Sequence, residues 1–302
     1  MKTREVKLGE VANVKGGKRI PKGIGLINIP NGHPYIRVRD LNNKRLLELD
    51  NSYEYVDNET QKVISKYTVK AGDVVLSIVG TIGLVAIVGR TLDGANLTEN
   101  CVKLSSFHGV NRDFLYYYLR SDCGQQEIRC GTVGAVQAKL PIKNIQNIAI
   151  NLPDYTTQER IASLLLSIDR KIELNQKIND NLEQQAVTYF QELYINNANP
   201  MWQIGTISDL GTVVGGSTPS KTKPEYYTNN GIAWITPKDL SINKSKFISH
   251  GENDITELGL KNSSATVMPK GTVLFSSRAP IGYIAIASNE VTTNQGFKSV
   301  VP

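Results

Sequence analysis

Residues 72–83 read GDVVLSIVGTIG, and residues 271–282 read GTVLFSSRAPIG, 199 positions later. Working outward at the same offset, VANVKGG (11–17) falls on LGTVVGG (210–216), so that Gly16 and Gly17 match Gly215 and Gly216. PYIRVRDL (34–41) falls on AWITPKDL (233–240), pairing Tyr35 with Trp234, Arg39 with Lys238 and Asp40 with Asp239. A fourth block, LTENCVKLS (97–105) against TTNQGFKSV (292–300), aligns at an offset of 195, which implies a small deletion in the second copy. Three blocks in one register mark an internal duplication rather than a chance recurrence of strand patterns. One unit used twice implies two related binding events.

The runs VVLSIVG (74–80) and LVAIVG (84–89), divided by Gly-containing turns, read as strands. Without βαβ alternation, the expected class is mixed α/β with a mostly antiparallel sheet. One helix is expected over residues 111–128, where Phe114, Leu115, Tyr118 and Leu119 form an apolar stripe. Pro153 then breaks the chain, and Thr156 with Glu159 has the spacing of a capping box. From there to about Tyr194 the chain has no Pro or Gly, and a helix over residues 157–194 would be roughly 57 Å long.

The apolar seam of this helix alternates steps of four and three: Ile161, Leu165, Ile168, Ile172, Asn175, Asn179, Leu182, Ala186, Tyr189, Leu193. That is a coiled-coil seam with two polar residues at its centre. An amphipathic helix lying on its own domain is the alternative, and the length argues against it. The expected organisation is a first unit over 1–150, a linker and long helix over 151–200, and a second unit over 201–302. The second unit lacks a counterpart of residues 106–194, and with it a second long helix.

The 302 residues suffice for two domains with their own cores. With 40% hydrophobic and 21% charged residues the composition is that of a soluble globular protein. The charged start, MKTREVKLGEV, does not resemble a signal peptide, and no apolar run is long enough to span a bilayer. Cys101, Cys123 and Cys130 lack metal-ligand spacing, as do His33, His108 and His250. A reducing cytoplasm and no metal site are expected. Residues 1–150 carry 21 basic against 14 acidic side chains, residues 157–200 carry 4 against 6, and residues 201–302 carry 9 against 7. If the chain binds a polyanion, the globular units do so and the helix does not.

Catalytic patterns are missing. The two Gly pairs lack the context of a phosphate loop, and neither a G-x-S-x-G elbow nor a plausible triad occurs. LPDY (152–155) lacks the second Pro of an amino-methyltransferase motif. Pro153-Asp154 with Asp169-Arg170-Lys171 satisfies a loose nuclease pattern. That site needs its last carboxylate and lysine on one side of a strand, whereas positions two apart on a helix diverge.

The order of a β-rich unit carrying G-D-V-V-L-S-x-x-G-x-I-G, then GTVGAVQAKLPIKNIQNIAINLP (131–153), then TQERIASLLLSIDRKIELNQKI (157–178), then a second such unit, closely resembles the DNA-specificity subunit of type I restriction-modification systems. The resemblance covers essentially the whole chain. It implies that each unit is a target-recognition domain reading half of a bipartite site in double-stranded DNA. It also implies that the helix is a spacer on which methylation subunits dock, within a complex that includes a restriction subunit. The chain itself would perform no chemistry and bind no cofactor, with S-adenosylmethionine, Mg and ATP held by partner subunits. Family members usually end in a second helix packed antiparallel on the first, which this sequence does not show. An antiparallel homodimer through the spacer helix is therefore expected when the chain is alone. The competing reading is a coiled-coil scaffold or adaptor that binds no DNA.

Arg reads guanine and Asn or Gln reads adenine bidentately, while Lys mostly holds phosphates. In the first unit the candidates are Lys15, Lys18, Arg19, Arg37, Arg39 and Lys139, with Asn100 and Gln137 as polar readers. In the second they are Thr218, Lys221, Lys223, Lys238, Arg278, Asn294 and Gln295. Tyr35 and Trp234 are expected to be core anchors rather than base-stacking platforms.

Overall fold

The computed structural model describes residues 3–41, 44–134 and 137–302. The chain forms two compact units, 1–187 and 188–302. In the first, a five-stranded sheet has the order Asn13–Gly16, Cys101–Ser105, Val74–Ser77, Val85–Val88, Leu46–Leu47, antiparallel except for the last pair. A second sheet sets Pro34–Ile36 antiparallel to Glu54–Tyr55 and parallel to Asn96–Leu97. A ribbon joins Thr3–Lys7 to Ala149–Pro153.

The second unit repeats this plan. Its five strands are Thr212–Gly215, Lys298–Val301, Val273–Phe275, Ile284–Ala287 and Phe247–Ile248, again parallel only in the last pair. Ile232–Ile235 lies antiparallel to Asn253–Ile255 and parallel to Thr292–Thr293. Two copies of one mixed, mostly antiparallel topology agree with the duplication.

The strand pairs also correct it. Tyr35 lies beside Asn96 and Gly16 beside Val102, whereas Trp234 lies beside Thr292 and Gly215 beside Lys298. The fourth block therefore repeats at an offset of 196, not 195, and its loop in the second unit is three residues shorter. The Lys103–Lys298 match that favours the other alignment is a coincidence of composition. A slip of one residue in a strand reverses every side chain. Thr98 and Glu99, and not Glu99 and Asn100, are thus the counterparts of Asn294 and Gln295.

The G-D-V-V-L-S-x-x-G-x-I-G pattern has a local physical basis. The buried Ser77 hydroxyl accepts from Leu84 N at 2.9 Å and donates to Thr81 O at 2.6 Å. Ser276 does the same with Tyr283 N and Pro280 O, both at 2.8 Å. The turn closes with φ of +91° at Gly83 and +92° at Gly282, a conformation that strains a residue with a Cβ.

The unbroken VVL run reflects burial on both faces. Val74 and Leu76 join a core with Leu104, Leu115 and Ile150, while Val75 points to the opposite core with Ile36, Leu47 and Leu97. In the second unit Ile207, Leu210 and Ile284 are 62–75% exposed, although their counterparts Leu8, Val11 and Val85 are buried. In the first unit that face is covered by residues such as Leu115, Leu119, Ile128 and Ile145.

The expected single helix over 111–128 is two helices, Arg112–Arg120 and Asp122–Gly131. Ser121 is extended between them: its backbone N–H donates to the Tyr117 and Tyr118 carbonyls and closes the first, and its hydroxyl accepts from Gly124 N and caps the second. A residue that caps one helix end well competes with continuing the helix through it.

The long helix spans Tyr155–Phe190 and passes into a π-helical segment, Gln191–Asn196. Its cap is Asp154 rather than Thr156: the Asp154 carboxylate accepts from Thr157 N at 2.9 Å and from its hydroxyl at 2.7 Å. Those bonds lower the Asp154 pKa. Its first turns are mounted on the first unit through buried Gln158 and Ala162, through Asp169, which accepts from Tyr117 Oη at 2.7 Å, and through Glu173, 3.9 Å from Arg45. The seam lies beside this face. Ile161 and Leu165 are half-buried, whereas Ile168, Ile172, Asn175, Asn179, Leu182, Tyr189 and Leu193 are exposed.

Candidate nucleic-acid interface

In the second unit the candidate residues converge on one cleft. A cavity of about 720 Å³ is lined by Thr218, Lys221, Lys238, Arg278, Asn294 and Gln295, six of the seven, together with Trp234, Thr236, Ser241, Glu252 and Asn253. The cleft lies where the parallel strands Ile232–Ile235 and Thr292–Thr293 end, beside the turn that Ser276 organises. Lys238 donates to Glu252 at 2.6 Å, while the Lys221 and Arg278 side chains are exposed. Three cations against one carboxylate leave the lining positive. Lys223, outside this lining, sits 5.3 Å above the Tyr226 ring.

Trp234 and Tyr35 are core anchors, as expected. Both are nearly buried, and each donates to the backbone just past its glycine pair: Trp234 Nε1 to Ser217 O at 3.0 Å and Tyr35 Oη to Lys18 O at 2.8 Å. The second glycine of each pair is explained by close approach. A Cβ on Gly17 would overlap the Thr98 and Leu97 carbonyls, and one on Gly216 those of Asn294 and Thr293.

The first-unit candidates are more dispersed and more heavily paired. Arg37 and Arg39 both turn to Glu54, Arg39 donating to it at 2.6 Å and to Ser52 O at 3.3 Å. Arg37 is largely covered, while Arg39 is more than half exposed. Asp40 Oδ2 caps this turn by accepting from Arg37 N at 2.7 Å, as Asp239 accepts from Thr236 N at 2.7 Å. Burial pushes the Asp40 carboxyl up to about 6 against the pull of Arg39.

Arg19 is exposed and donates from Nε to Glu99 at 2.5 Å. Burial alone would raise the Glu99 pKa, but bonds from Arg19, its own backbone N–H and Thr98 outweigh it and the pKa falls. Lys18 lies 5.7 Å from the centre of the Tyr67 ring, and Lys15 shares a cavity of about 260 Å³ with Lys66 and Lys103. Lys139 belongs to a bridge with Val79 and Val133, Gln137 is exposed, and the half-buried Asn100 receives Ile78 N on its backbone carbonyl. Sequence reasoning missed the carboxylates Glu54, Glu99 and Glu252, because it sought cations and amides for a polyanion. Strand register was the signal that could have placed Glu99 beside Arg19.

The nuclease pattern is absent as a site: Asp154 caps the helix and Asp169 is held by Tyr117. Among the described residues no cluster of His, Cys, Asp and Glu could hold a metal ion, and no helix is long and apolar enough to cross a membrane.

The family model for the type I restriction modification DNA specificity domain matches residues 2–184 and again 199–302. The chain belongs to this family. Its two matches coincide with the duplicated topology. The MjaIX type I specificity subunit of Methanocaldococcus jannaschii is 50% identical over 115 residues, which is 38% of this chain and 26% of that protein. The HindI specificity subunit of Haemophilus influenzae is 21% identical over 248 residues, covering 58% of this chain and 52% of the relative. The chain thus spans about a quarter to a half of these relatives. In fold it resembles the type I S subunit of M. genitalium, with a TM-score of 0.53 at 14% identity, over 99% of this chain and 72% of that one.

Proposed function

We propose that the chain is the sequence-reading component of a type I restriction-modification complex, each unit reading one half of a bipartite duplex site. The observation that carries this is the second-unit cleft, where cations for phosphate and the amides of Asn294 and Gln295 for base edges face one concave space. The specificity-subunit relatives support the same reading. The chain is then non-catalytic and cytoplasmic. Methylation and restriction subunits supply S-adenosylmethionine, Mg and ATP chemistry, and the first two turns of the long helix fix its direction relative to the first unit.

Exchanging residues 1–150 for the matching unit of a relative tests this. One half of the site selected from random duplexes should change, while the other half and the spacing persist. Change in both halves would refute two independent modules, and binding without sequence preference would refute DNA reading.

The exposed seam of the long helix supports an antiparallel homodimer when partner subunits are absent. Asn175 would face Asn179 of the second copy, and Ile172 would face Leu182. A buried polar pair of this kind sets register and direction at some cost in stability.

A further inference from the structure

Two positions on opposite loops form a side-chain pair in both units, but with different chemistry. The first-unit backbone is held by Gly17 N donating to Cys101 O at 3.0 Å, Lys18 N to Leu97 O at 2.8 Å, and Tyr35 Oη to Lys18 O. Arg19 leaves this held segment and meets Glu99. In the second unit Ser217 N donates to Thr293 O at 2.8 Å and Trp234 Nε1 to Ser217 O. Thr218 leaves that segment and donates to Gln295 Oε1. By strand register Arg19 corresponds to Thr218 and Glu99 to Gln295. The scaffold is the same and an ion pair has been exchanged for a neutral one.

An acid beside a polyanion repels it, so Glu99 needs a compensating role. Its contact engages Arg19 through Nε, on a side chain that is 76% exposed, so the terminal amino groups stay available to a ligand. That is the end-on fork that matches O6 and N7 of guanine. In the second unit the Thr218 hydroxyl orients the Gln295 amide, leaving its NH₂ and one carbonyl lone pair for N7 and the amino group of adenine.

We propose that residues 19 and 99 in the first unit, and 218 and 295 in the second, are one base-reading position, set for guanine in the first copy and for adenine in the second. Glu99 and Thr218 are positioning residues that hold the reader. The inference rests on the DNA-reading function proposed above.

The test is selection from a library of random double-stranded oligonucleotides by the full chain and its variants. Arg19→Thr with Glu99→Gln should turn one guanine of one half-site into adenine, with a change in preference of about 5- to 150-fold and every other position unaltered. Thr218→Arg with Gln295→Glu should produce the reverse change in the other half-site. Should a double variant fail to fold by circular dichroism, Arg19→Met decides: it keeps a long unbranched side chain, removes the guanidinium fork and should lose the guanine preference. Glu99→Gln alone should relax that preference while strengthening non-specific binding. A wild-type chain that selects a bipartite site, with variants that select the same bases throughout, overturns this inference and leaves the functional reading intact. A wild-type chain that selects no sequence overturns both.

Discussion

Replacing Gln158 with Leu tests whether the long helix is an extension of the first unit's core. The side chain is 1% exposed and makes three bonds: Oε1 accepts from Asn111 N at 2.8 Å, and Nε2 donates to Pro153 O at 3.0 Å and Gly109 O at 3.3 Å. Leu fills a similar volume and satisfies none of these partners. Stranding one buried N–H and two carbonyls costs roughly 3 to 5 kcal/mol. Burial of the added apolar surface offsets about 1 kcal/mol of that. A net loss of about 2 to 4 kcal/mol, at a urea slope near 2 kcal/mol/M, lowers the midpoint of first-unit unfolding by about 1 to 2 M. The chain provides an internal control, because both tryptophans, Trp202 and Trp234, lie in the second unit. Tryptophan fluorescence should keep its midpoint while part of the far-ultraviolet circular dichroism transition moves down. A dichroism midpoint shifted by less than about 0.3 M, or an equal shift in both signals, would refute the pinning role of Gln158.

Other outcomes follow from the same geometry. Lys221→Ala with Arg278→Ala should reduce the slope of log affinity against log salt by about 1.8 if each cation meets one phosphate, measured by fluorescence anisotropy between 50 and 200 mM salt; an unchanged slope removes both from the interface. Asp40, with its pKa raised to about 6, favours the folded state most below pH 4 and loses that contribution as pH rises through 6. Wild type minus Asp40→Asn stability should therefore fall by on the order of 2 to 3 kcal/mol between pH 4 and 7, and a flat difference in urea melts would contradict the assignment. Analytical ultracentrifugation at micromolar concentration should show a dimer that Ile168→Asp dissociates. A wild-type monomer with a variant of the same mass and stability would sink the helix pairing.

Much of this architecture was legible in the sequence because duplication repeats constraints. Gly17 and Gly216 lack room for a Cβ, Ser77 and Ser276 tie the same turn, and Tyr35 and Trp234 anchor the same loop, so each pattern occurs twice at one spacing. The long helix was equally visible, since 36 residues without Pro or Gly leave few alternatives. The register of the fourth block is not legible to one residue, because its strands alternate apolar and polar positions only weakly and a shared lysine favours the wrong alignment. The break at Ser121 is hidden in the sequence because its neighbours on both sides form helices, and its capping bonds are a three-dimensional choice. The candidate readers of the second unit were recognisable one by one. The arginines of the first unit are recognisable in the same way, but the carboxylates that engage them are not: Glu99 lies 80 positions from Arg19, and an acid is not an expected neighbour of a polyanion.

The overlap that forbids a Cβ at Gly17 and Gly216 separates two burdens that most binding loops carry together. Loop position is set by backbone carbonyls and by a glycine, atoms that are the same whatever side chains stand at 18, 19 and 99, or at 217, 218 and 295. On the proposed reading, substitutions at positions 19, 99, 218 and 295 change the target without asking the fold to move. What a loop recognises and where it stands are in this way set by different atoms, side chains for the first and backbone with glycine for the second.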